Sequence, residues 1–527
     1  MILLALTATL AIVVQDRVSL RAEPRATATE MTALWQGDVV EIRGERADYV
    51  KVYEYGRERG GYIKSQSMRR IGTTEGDAPE LLAVMRFLRD TPGSEALGIS
   101  YGAAYLKAVP SRALTAEPFD AIARMAERLA DAASGNPNSL INVAARLQVV
   151  EQFGIRMRTF ERNGRMRVCY DGELFRRVLS MAQATPEERA HAVLGLTRPE
   201  CIDPNVGPVM RAALDEERGE LLDRIDERGL NAMLKSRVHA RRAGVWAAIA
   251  YAQARRGARP QLAAQRALAE LTAVQPNDLG EDRRTEYVDA AVRVNTVRWA
   301  AVTAPSGPMP ANTAMPANGA VPASAAKPVP ALAWPVATAR ADAASIASAA
   351  APAATVAAAR VVTPVSQTGP LMLSTTPGAP GQTCLTMSWR RRSLPLIEKC
   401  TYGIVWLASA QTIAQEPALV LAVQPLETWR ELWVFHEVAG HWTIDVLSPG
   451  ADDPEQGYVE FAGFAPGTRR LLIAREVKER TGRYRQRFEV LRIDDLALVR
   501  HASTPDLLRD FGRWQDVNWR RDTLALR

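Results

Sequence analysis

The first part of the chain alternates apolar and polar residues in short runs, which is the pattern of half-buried β-strands. Residues 39–42 and 49–53 show this alternation, and turns containing Gly37, Gly44 and Gly60 separate the runs. A period of two places the apolar side chains of a strand on one face, and glycines permit tight turns between strands. We therefore expect a small antiparallel β-barrel over residues 15–72.

From Asp77 onward the apolar residues recur with the period of an α-helix. Asp77 is a capping residue, and Leu81, Val84, Met85 and Leu88 follow it at three- and four-residue spacing. Residues 77–300 are predicted to form a mainly helical domain. Another helix opens at Thr185, and further helices are expected over 119–135, 140–153, 208–237, 238–256, 261–274 and 285–299.

One segment interrupts the helical pattern. Residues 155–170 alternate on either side of Asn163 and Gly164, two residues that tolerate positive φ. This arrangement is typical of a β-hairpin with a two-residue turn. The helical domain is therefore expected to carry one hairpin, with Cys169 near its end.

The composition changes sharply after the helical domain. Residues 303–381 are rich in Ala, Pro, Ser and Thr and carry almost no charge, so they bury too little apolar surface to offset the entropy of ordering. We expect a disordered linker there. Residues 382–527 return to short apolar runs between turns, which predicts an antiparallel β domain, either an open sheet or a sandwich.

The first 14 residues are apolar but too few to cross a bilayer as a helix. Their length fits the hydrophobic region of a secretory signal, although no basic residues precede it. Either the true start lies upstream, or residues 12–14 belong to the first strand of the barrel, which weakens the prediction of export. No other stretch is long and apolar enough to span a membrane, so no transmembrane span is expected.

The four cysteines fall into two pairs on either side of the low-complexity segment: Cys169 with Cys201, and Cys384 with Cys400. Each pair lies within one predicted domain, so each is expected to close a disulfide. Disulfides persist in oxidising compartments, which favours a periplasmic or secreted protein. The alternative is four buried thiols in a cytosolic protein.

Two short motifs suggest chemistry. Residues 98–102 match the G-x-S-x-G pattern around a nucleophilic serine, Ser100, but no series of βα units precedes them. We prefer to interpret them as a turn between helices. His436 and His441 resemble a zinc-binding helix, but their spacing of five turns them apart on a helix, and the surroundings favour a β-hairpin. We predict no catalytic residue, no metal and no cofactor.

Basic and aromatic residues also occur together near the C-terminus, at 389–392 and 514–521. Such clusters hold phosphate and stack on bases, and the net charge of +7 favours acidic partners. Tryptophans in a small β domain more often belong to its core. Nucleic acid is therefore not the expected partner, and nucleic-acid binding is kept as a second alternative.

The N-terminal segment resembles a bacterial SH3 (SH3b) domain. The resemblance rests on residues 20–24, 34–42, 49–52 and 61–63, with Tyr49 where the family often has Trp. It implies an SH3-like barrel that binds a ligand in an aromatic groove. In an extended strand Val50 and Val52 face the barrel interior, and the groove residues are expected to be Trp35, Tyr49, Lys51, Tyr53, Tyr55 and Tyr62. The alternative is that these aromatic residues only cap the barrel.

The fold expected overall is a multidomain α+β protein with an SH3-like barrel, a helical bundle with one hairpin, a disordered Ala/Pro-rich linker and an antiparallel β domain. The expected function is a non-catalytic, exported envelope protein that binds a peptide or a peptidoglycan-type ligand. SH3b domains often direct cell-wall hydrolases to their substrate, so a hydrolase is the first alternative.

Overall fold

The computed structural model describes residues 9–135, 140–162, 164–302, 365–391, 394–413, 416–450, 456–523 and 526. Helices account for 41% and strands for 32% of the described residues. The prediction of a mixed helix-and-sheet protein with several antiparallel sheets is confirmed. Residues 1–8 of the predicted signal segment (1–14) and residues 303–364 of the predicted linker (303–381) lie outside the described residues.

The N-terminal sheet contains seven strands within the described residues, all paired antiparallel in the order β3-β2-β6-β5-β4-β1-β7. Its interior holds Val50 and Val52, as predicted, with other apolar residues. The strands are β1 (Thr9–Val13), β2 (Val18–Arg21), β3 (Glu30–Leu34), β4 (Val39–Arg46), β5 (Tyr49–Glu54), β6 (Arg59–Lys64) and β7 (Met68–Ile71).

Strand β1 corrects the expected N-terminal boundary of this sheet. It lies between β4 and β7, and Ala11, Ile12 and Val13 are completely buried. The sheet therefore begins at Thr9 instead of residue 15. The structure agrees with the alternative in which Ile12 and Val13 belong to a strand. The physical reason is that their side chains fill the two apolar sides of the sheet.

Helices dominate residues 78–297, and the predicted hairpin is confirmed as β8 (Met157–Arg162) paired with β9 (Arg165–Tyr170). The helices are α1 (Ala78–Arg89), α2 (Glu95–Ala108), α3 (Glu117–Gly135), α4 (Leu140–Glu151), α5 (Glu173–Ser180), α6 (Pro186–Leu196), α7 (Pro208–Asp223), α8 (Ala232–Arg255), α9 (Gln261–Ala273) and α10 (Glu281–Val297).

One predicted boundary between helices is wrong. The break expected at residues 237 and 238 lies between Asp223 and Ala232 instead. Gly229 has a φ of 88°, and the Asn231 side chain accepts a hydrogen bond from the Leu234 backbone N–H. The left-handed Gly229 lies in the loop between the two helices and the Asn231 N-cap starts the second one, and apolar periodicity does not reveal such a break.

The C-terminal region is a β domain that begins earlier than predicted. Residues 365–377, assigned to the linker, form strands because their alternating side chains, Leu371 and Leu373, pack into a sheet. A four-stranded sheet contains β10 (Val365–Thr368), β11 (Leu371–Pro377), β12 (Thr383–Trp389) and β13 (Pro395–Thr401).

An eight-stranded sheet packs on the four-stranded one through Leu419, Leu421 and Phe435. The predicted antiparallel β domain is present in its two-sheet form, one of the two forms expected, except that β16 and β18 pair in parallel. The strands are β14 (Ile404–Thr412), β15 (Ala418–Leu426), β16 (Trp429–Val438), β17 (His441–Leu447), β18 (Gly457–Ala465), β19 (Arg470–Lys478), β20 (Tyr484–Arg492) and β21 (Leu498–Ala502). Two short helices follow, α11 (Arg509–Trp514) and α12 (Val517–Asp522).

The helical region contacts both the N-terminal sheet and the β domain through apolar residues. Ile12 and Val39 of the N-terminal sheet pack against the core of α1 to α3. Trp406 and Ala422 of the β domain join the core of α8 to α10. Residues from the helices and the β domain therefore bury surface against each other, and this contact shapes a cavity between them.

Candidate functional site

The predicted ligand-binding residues lie mainly on the outward side of β5. Val50 and Val52 are 2% and 1% exposed, whereas Lys51 is exposed and Tyr49 and Tyr53 are partly exposed. Alternation along a strand places these three side chains on the same face. The orientation predicted for this strand is therefore confirmed.

One end of this face carries a cluster of hydrogen-bonded aromatic and charged side chains. The rings of Tyr53 and Tyr55 meet edge to face at 5.0 Å, and the Arg43 guanidinium lies 4.0 Å from the Tyr53 ring centroid. The Tyr55 hydroxyl donates to Glu41 Oε2 at 2.8 Å, and Arg43 donates to the same oxygen at 3.0 Å. These two hydrogen bonds lower the pKa of Glu41. The cluster is thus ordered before any ligand arrives.

The rest of this face lies on β5 and β6. Lys51 is paired with Tyr62 across β5 and β6, and cross-strand partners share a face. Gly60 lies opposite Tyr53, where an added Cβ would come within 3.3 Å of the tyrosine ring. A residue without a side chain therefore leaves the Tyr53 ring accessible. We call Tyr49, Lys51, Tyr53, Tyr55 and Tyr62 the tyrosine face.

Trp35 occupies a different environment from the tyrosine face. It is partly buried and packs with Ile12 and Val39 against the helical core. Its backbone N–H donates to the Asp38 side chain at 2.8 Å. The structure therefore places Trp35 at the interface between the sheet and the helices, a long-range contact that local sequence does not disclose.

Ser100 lies inside α2 and is 1% exposed, so the expected turn between helices is wrong. Its hydroxyl is within hydrogen-bonding distance of the Gly37 and Ala96 carbonyl oxygens, at 2.6 and 2.9 Å. An added Cβ at Gly98 would lie 2.3 Å from Met125 Sδ, and one at Gly102 would lie 2.7 Å from Ile122 Cγ1. The motif therefore brings α2 close to α3 and ties it to the N-terminal sheet.

His436 and His441 lie on β16 and β17, the hairpin that the sequence favoured over a helix. His436 is buried, and its Nε2 is 2.6 Å from Asp445 Oδ2, whereas His441 is exposed. Among the described residues, the single group with metal-ligand spacing is Cys384, Glu398 and Cys400. Its two cysteines are joined to each other, so their sulfurs are not thiolate ligands.

Both predicted disulfides are present. Cys169, on β9, is bonded to Cys201, and Cys384 is bonded to Cys400 directly across β12 and β13. The described part of the chain has no free cysteine. The pairing supports folding in an oxidising compartment.

The tryptophans of the basic and aromatic clusters are packed. Trp389 contacts Trp442 edge to face at 6.2 Å, and Trp519 is 6% exposed beside Phe488 and Phe511. These rings contribute to the β-domain cores.

A cavity of about 830 Å³, which sequence reasoning did not identify, lies between the helices and the β domain. Its walls come from α3, α6, α8 and α10 and from the hairpin strand β8, and Gln456 and Lys478 of the β domain also line it. Among the described residues, eight arginines, Lys478 and five carboxylates line the cavity, an excess of positive charge. In the sequence, the only indication of this cavity is the abundance of arginine on these helices.

Some cavity arginines are held by carboxylates. Arg198 contacts Glu127, Asp131 and Glu200 at 3.1, 2.6 and 2.7 Å. Burial opposes the ionisation of Glu200, but Arg198 and then Arg241 outweigh it and hold the pKa of Glu200 far below its usual range. This network fixes one wall of the cavity beside Cys201.

Glu427 enters the arginine cluster from the turn between β15 and β16. Its carboxylate contacts Arg293 at 2.9 Å and Arg211 at 3.5 Å. Burial would raise the pKa of Glu427, but these arginines outweigh it and lower the pKa. The helical region therefore already holds one anionic group, supplied by the β domain.

A second buried carboxyl lies close to the same interface. Glu476 is 1% exposed and accepts hydrogen bonds from the Tyr458 hydroxyl at 3.0 Å and from Gln486 Nε2 at 3.1 Å. Burial raises the pKa of Glu476 from 4.5 to about 7, although both hydrogen bonds oppose the shift. The folded protein therefore holds this proton more tightly than the unfolded chain.

We predict that Glu476 makes the fold less stable as the pH rises. The pKa of Glu476 is higher in the folded protein than in the unfolded chain. The unfolding free energy of the parent, relative to that of Glu476→Gln, is therefore highest below pH 4.5 and falls until the pH passes about 7. The total loss is about 3 kcal/mol of unfolding free energy. Urea unfolding of both proteins across this pH range measures it, and a difference that does not change with pH would contradict the assignment.

Comparison of the chain with models of protein families, with curated proteins and with solved structures finds no match. The fold and the sites described above define a protein of mixed helix and antiparallel sheet with two disulfides. Across the described residues, the helices lack the combination of length and hydrophobicity that a bilayer-spanning segment requires.

Proposed function

We propose that this protein is exported and binds a peptide or a peptidoglycan-type ligand of the cell envelope through the tyrosine face. The observation that carries the proposal is the grouping of four tyrosines and Lys51 on one accessible side of the N-terminal sheet, with Tyr55 61% exposed. Tyrosines present a large rigid surface and a hydroxyl, which suits contact with peptides and sugars. The resemblance to SH3b domains supports the same ligand class.

The proposed role is binding without catalysis. For the hydrolase alternative, the serine motif offers no support, because Ser100 is buried in a helix beside two carbonyl oxygens. The histidine motif offers none either, because its two histidines differ in burial and His436 is beside Asp445. For nucleic acid, the tryptophans of the basic clusters are packed into the β domain. The disulfides support export.

Binding is tested by sedimenting the full-length protein with purified peptidoglycan. We expect Tyr53→Ala and Tyr49→Ala each to weaken binding about tenfold, because tyrosines are enriched among the contact residues whose truncation removes more than about 1 kcal/mol of binding free energy. A proline-rich peptide containing residues 305–308 of this chain is titrated in parallel, and it distinguishes a peptide ligand from the cell-wall polymer.

Tyr402→Ala is a matched control. Tyr402 lies in the β domain, precedes β14 and is 59% exposed, close to the exposure of Tyr55. This variant should bind as the parent does. If the tyrosine-face variants fold and bind both ligands with parental affinity, or if the parent binds neither, the proposed surface or ligand class is wrong.

A further inference from the structure

We propose that the cavity between α3, α6 and β8 binds a small molecule carrying two or more anionic groups, phosphate or carboxylate. The site is separate from the tyrosine face and does not depend on the function proposed for it. Its volume of about 830 Å³ lies within the range of pockets that hold small ligands, roughly 300–1,000 Å³. Three features of its lining identify the ligand as an anion.

The first feature is that several cationic groups retain hydrogen-bonding capacity. The buried Nη2 of Arg128 has no hydrogen-bond partner among the described residues, although its Nε donates to Glu95 at 3.2 Å. Arg162 donates to the Pro199 carbonyl oxygen at 3.0 Å, and no described carboxylate lies within ion-pair distance of it. Arg124 reaches a carboxylate, that of Asp120, only at 3.9 Å. These guanidinium groups are available to a ligand.

The second feature is a group of buried polar atoms beside α3 that lack partners. His191 Nδ1 lies 3.6 Å from Asp120 Oδ2, beyond a normal hydrogen bond, and within the described residues His191 Nδ1 and Asp120 Oδ1 both have no hydrogen-bond partner. Buried polar groups are satisfied in most folded proteins because an unmade hydrogen bond is costly. A bound anion that accepts a hydrogen bond from the buried Nη2 of Arg128 relieves this cost at that donor, and His191 lines the same cavity.

The third feature is the surrounding charge. Burial, and then the neighbouring charges of Arg293 and Arg211, lower the pKa of Arg162 below its ordinary value. The positive charges of Arg293 and Arg211 thus disfavour the charged form of Arg162. An anion placed beside Arg162 stabilises that form. Glu427 shows the preference directly, because it places a carboxylate against Arg293 and Arg211.

Glu427 satisfies the cluster on the β-domain side, whereas Arg124, Arg128 and His191 lie on α3 and α6. A ligand with two anionic groups bridges the guanidinium groups of Arg128 and Arg162, each of which makes one described hydrogen bond through one of its nitrogens. Planar guanidinium groups bind phosphate or carboxylate through two parallel hydrogen bonds. Leu194, Val245 and Ala248 supply apolar surface for the uncharged part of the ligand.

The test is calorimetric titration of the full-length protein at constant ionic strength with two probes, tripolyphosphate and citrate. We expect the parent to bind at least one of them, and the one bound more tightly identifies phosphate or carboxylate as the natural group. Arg128→Gln and Arg162→Gln should each weaken binding roughly ten- to a hundredfold, because each removes a charge-assisted hydrogen bond.

Arg228→Gln is the control, because Arg228 is 91% exposed and pairs with Asp226 away from the cavity. It should bind the probes as the parent does. Circular dichroism and the melting temperature establish that each variant is folded, and two independent cavity variants guard against misfolding of one. If the parent binds neither probe at millimolar concentration, or if folded Arg128→Gln and Arg162→Gln bind as Arg228→Gln does, the assignment is wrong.

Discussion

Replacing Glu460 by Gln is expected to destabilise the protein by about 3–5 kcal/mol. Glu460 lies on β18 and is 4% exposed; it contacts both Arg430 of β16 and Arg298, which follows α10. Burial opposes the ionisation of Glu460, but Arg298 and Arg430 outweigh it and lower its pKa. The variant removes the carboxylate that both buried guanidinium groups contact. Denaturant unfolding followed by tryptophan fluorescence measures the loss.

A surface carboxylate provides the comparison. Glu220→Gln removes a partner of Arg224 at 3.7 Å, where both side chains are more than two-thirds exposed, so it should change stability by less than about 0.5 kcal/mol. A triple variant, Arg298→Met, Glu460→Leu and Arg430→Met, should recover much of the lost stability, because no unpaired charge remains buried. A Glu460→Gln protein within 1 kcal/mol of the parent would contradict the role of this carboxylate.

The ion-paired group of Arg298, Glu460 and Arg430 also connects the helices to the β domain. Arg298 belongs to the helical region, whereas Glu460 and Arg430 belong to neighbouring strands of the eight-stranded sheet. Thr428 and Gln456, just outside these strands, line the cavity. We therefore expect Glu460→Gln to weaken the contact between the helical region and the β domain and to alter the shape of the cavity.

The second large effect is expected from removing the disulfide between Cys169 and Cys201. The two cysteines are separated by 32 residues, and a loop of this length corresponds to roughly 3–4 kcal/mol of stabilisation through the restricted unfolded chain. Cys169→Ala with Cys201→Ala should lower the unfolding free energy by about this amount. Alanine is preferred because Cys169 is 1% exposed, and serine would bury a hydroxyl there.

The bridge also fixes one wall of the cavity. Cys201 directly follows Glu200, whose carboxylate holds Arg198 at 2.7 Å. The disulfide between Cys384 and Cys400 provides the internal comparison, because these cysteines are separated by 16 residues and lie far along the chain from this wall. Removing it should lower the unfolding free energy by about 3 kcal/mol and leave the arginine network intact. If the variant lacking Cys169 and Cys201 unfolds at the denaturant concentration of the parent, the bridge contributes little to the fold.

The sequence by itself determined the features that depend on neighbours along the chain. Alternation predicted that Val50 and Val52 face inward while Tyr49, Lys51 and Tyr53 face outward, because a strand has a period of two regardless of its partners. The residues around Asn163 predicted the hairpin of β8 and β9 through turn chemistry, and the spacing of the cysteines predicted both disulfides. These predictions are local, or they depend on a pairing within one domain.

Only the tertiary structure decided which distant residues meet. Trp35 packs against helices that follow it in the chain, and Ser100 lies in a helix whose glycines fit against α3, because the packing of whole elements determines both environments. The cavity is a stronger case. Arg128, Arg162 and Lys478 come from three distant segments, and each alone resembles an ordinary charged residue on a helix or strand. Burial in one shared space turns these charges into a candidate site for an anion, because a charge removed from water requires a partner.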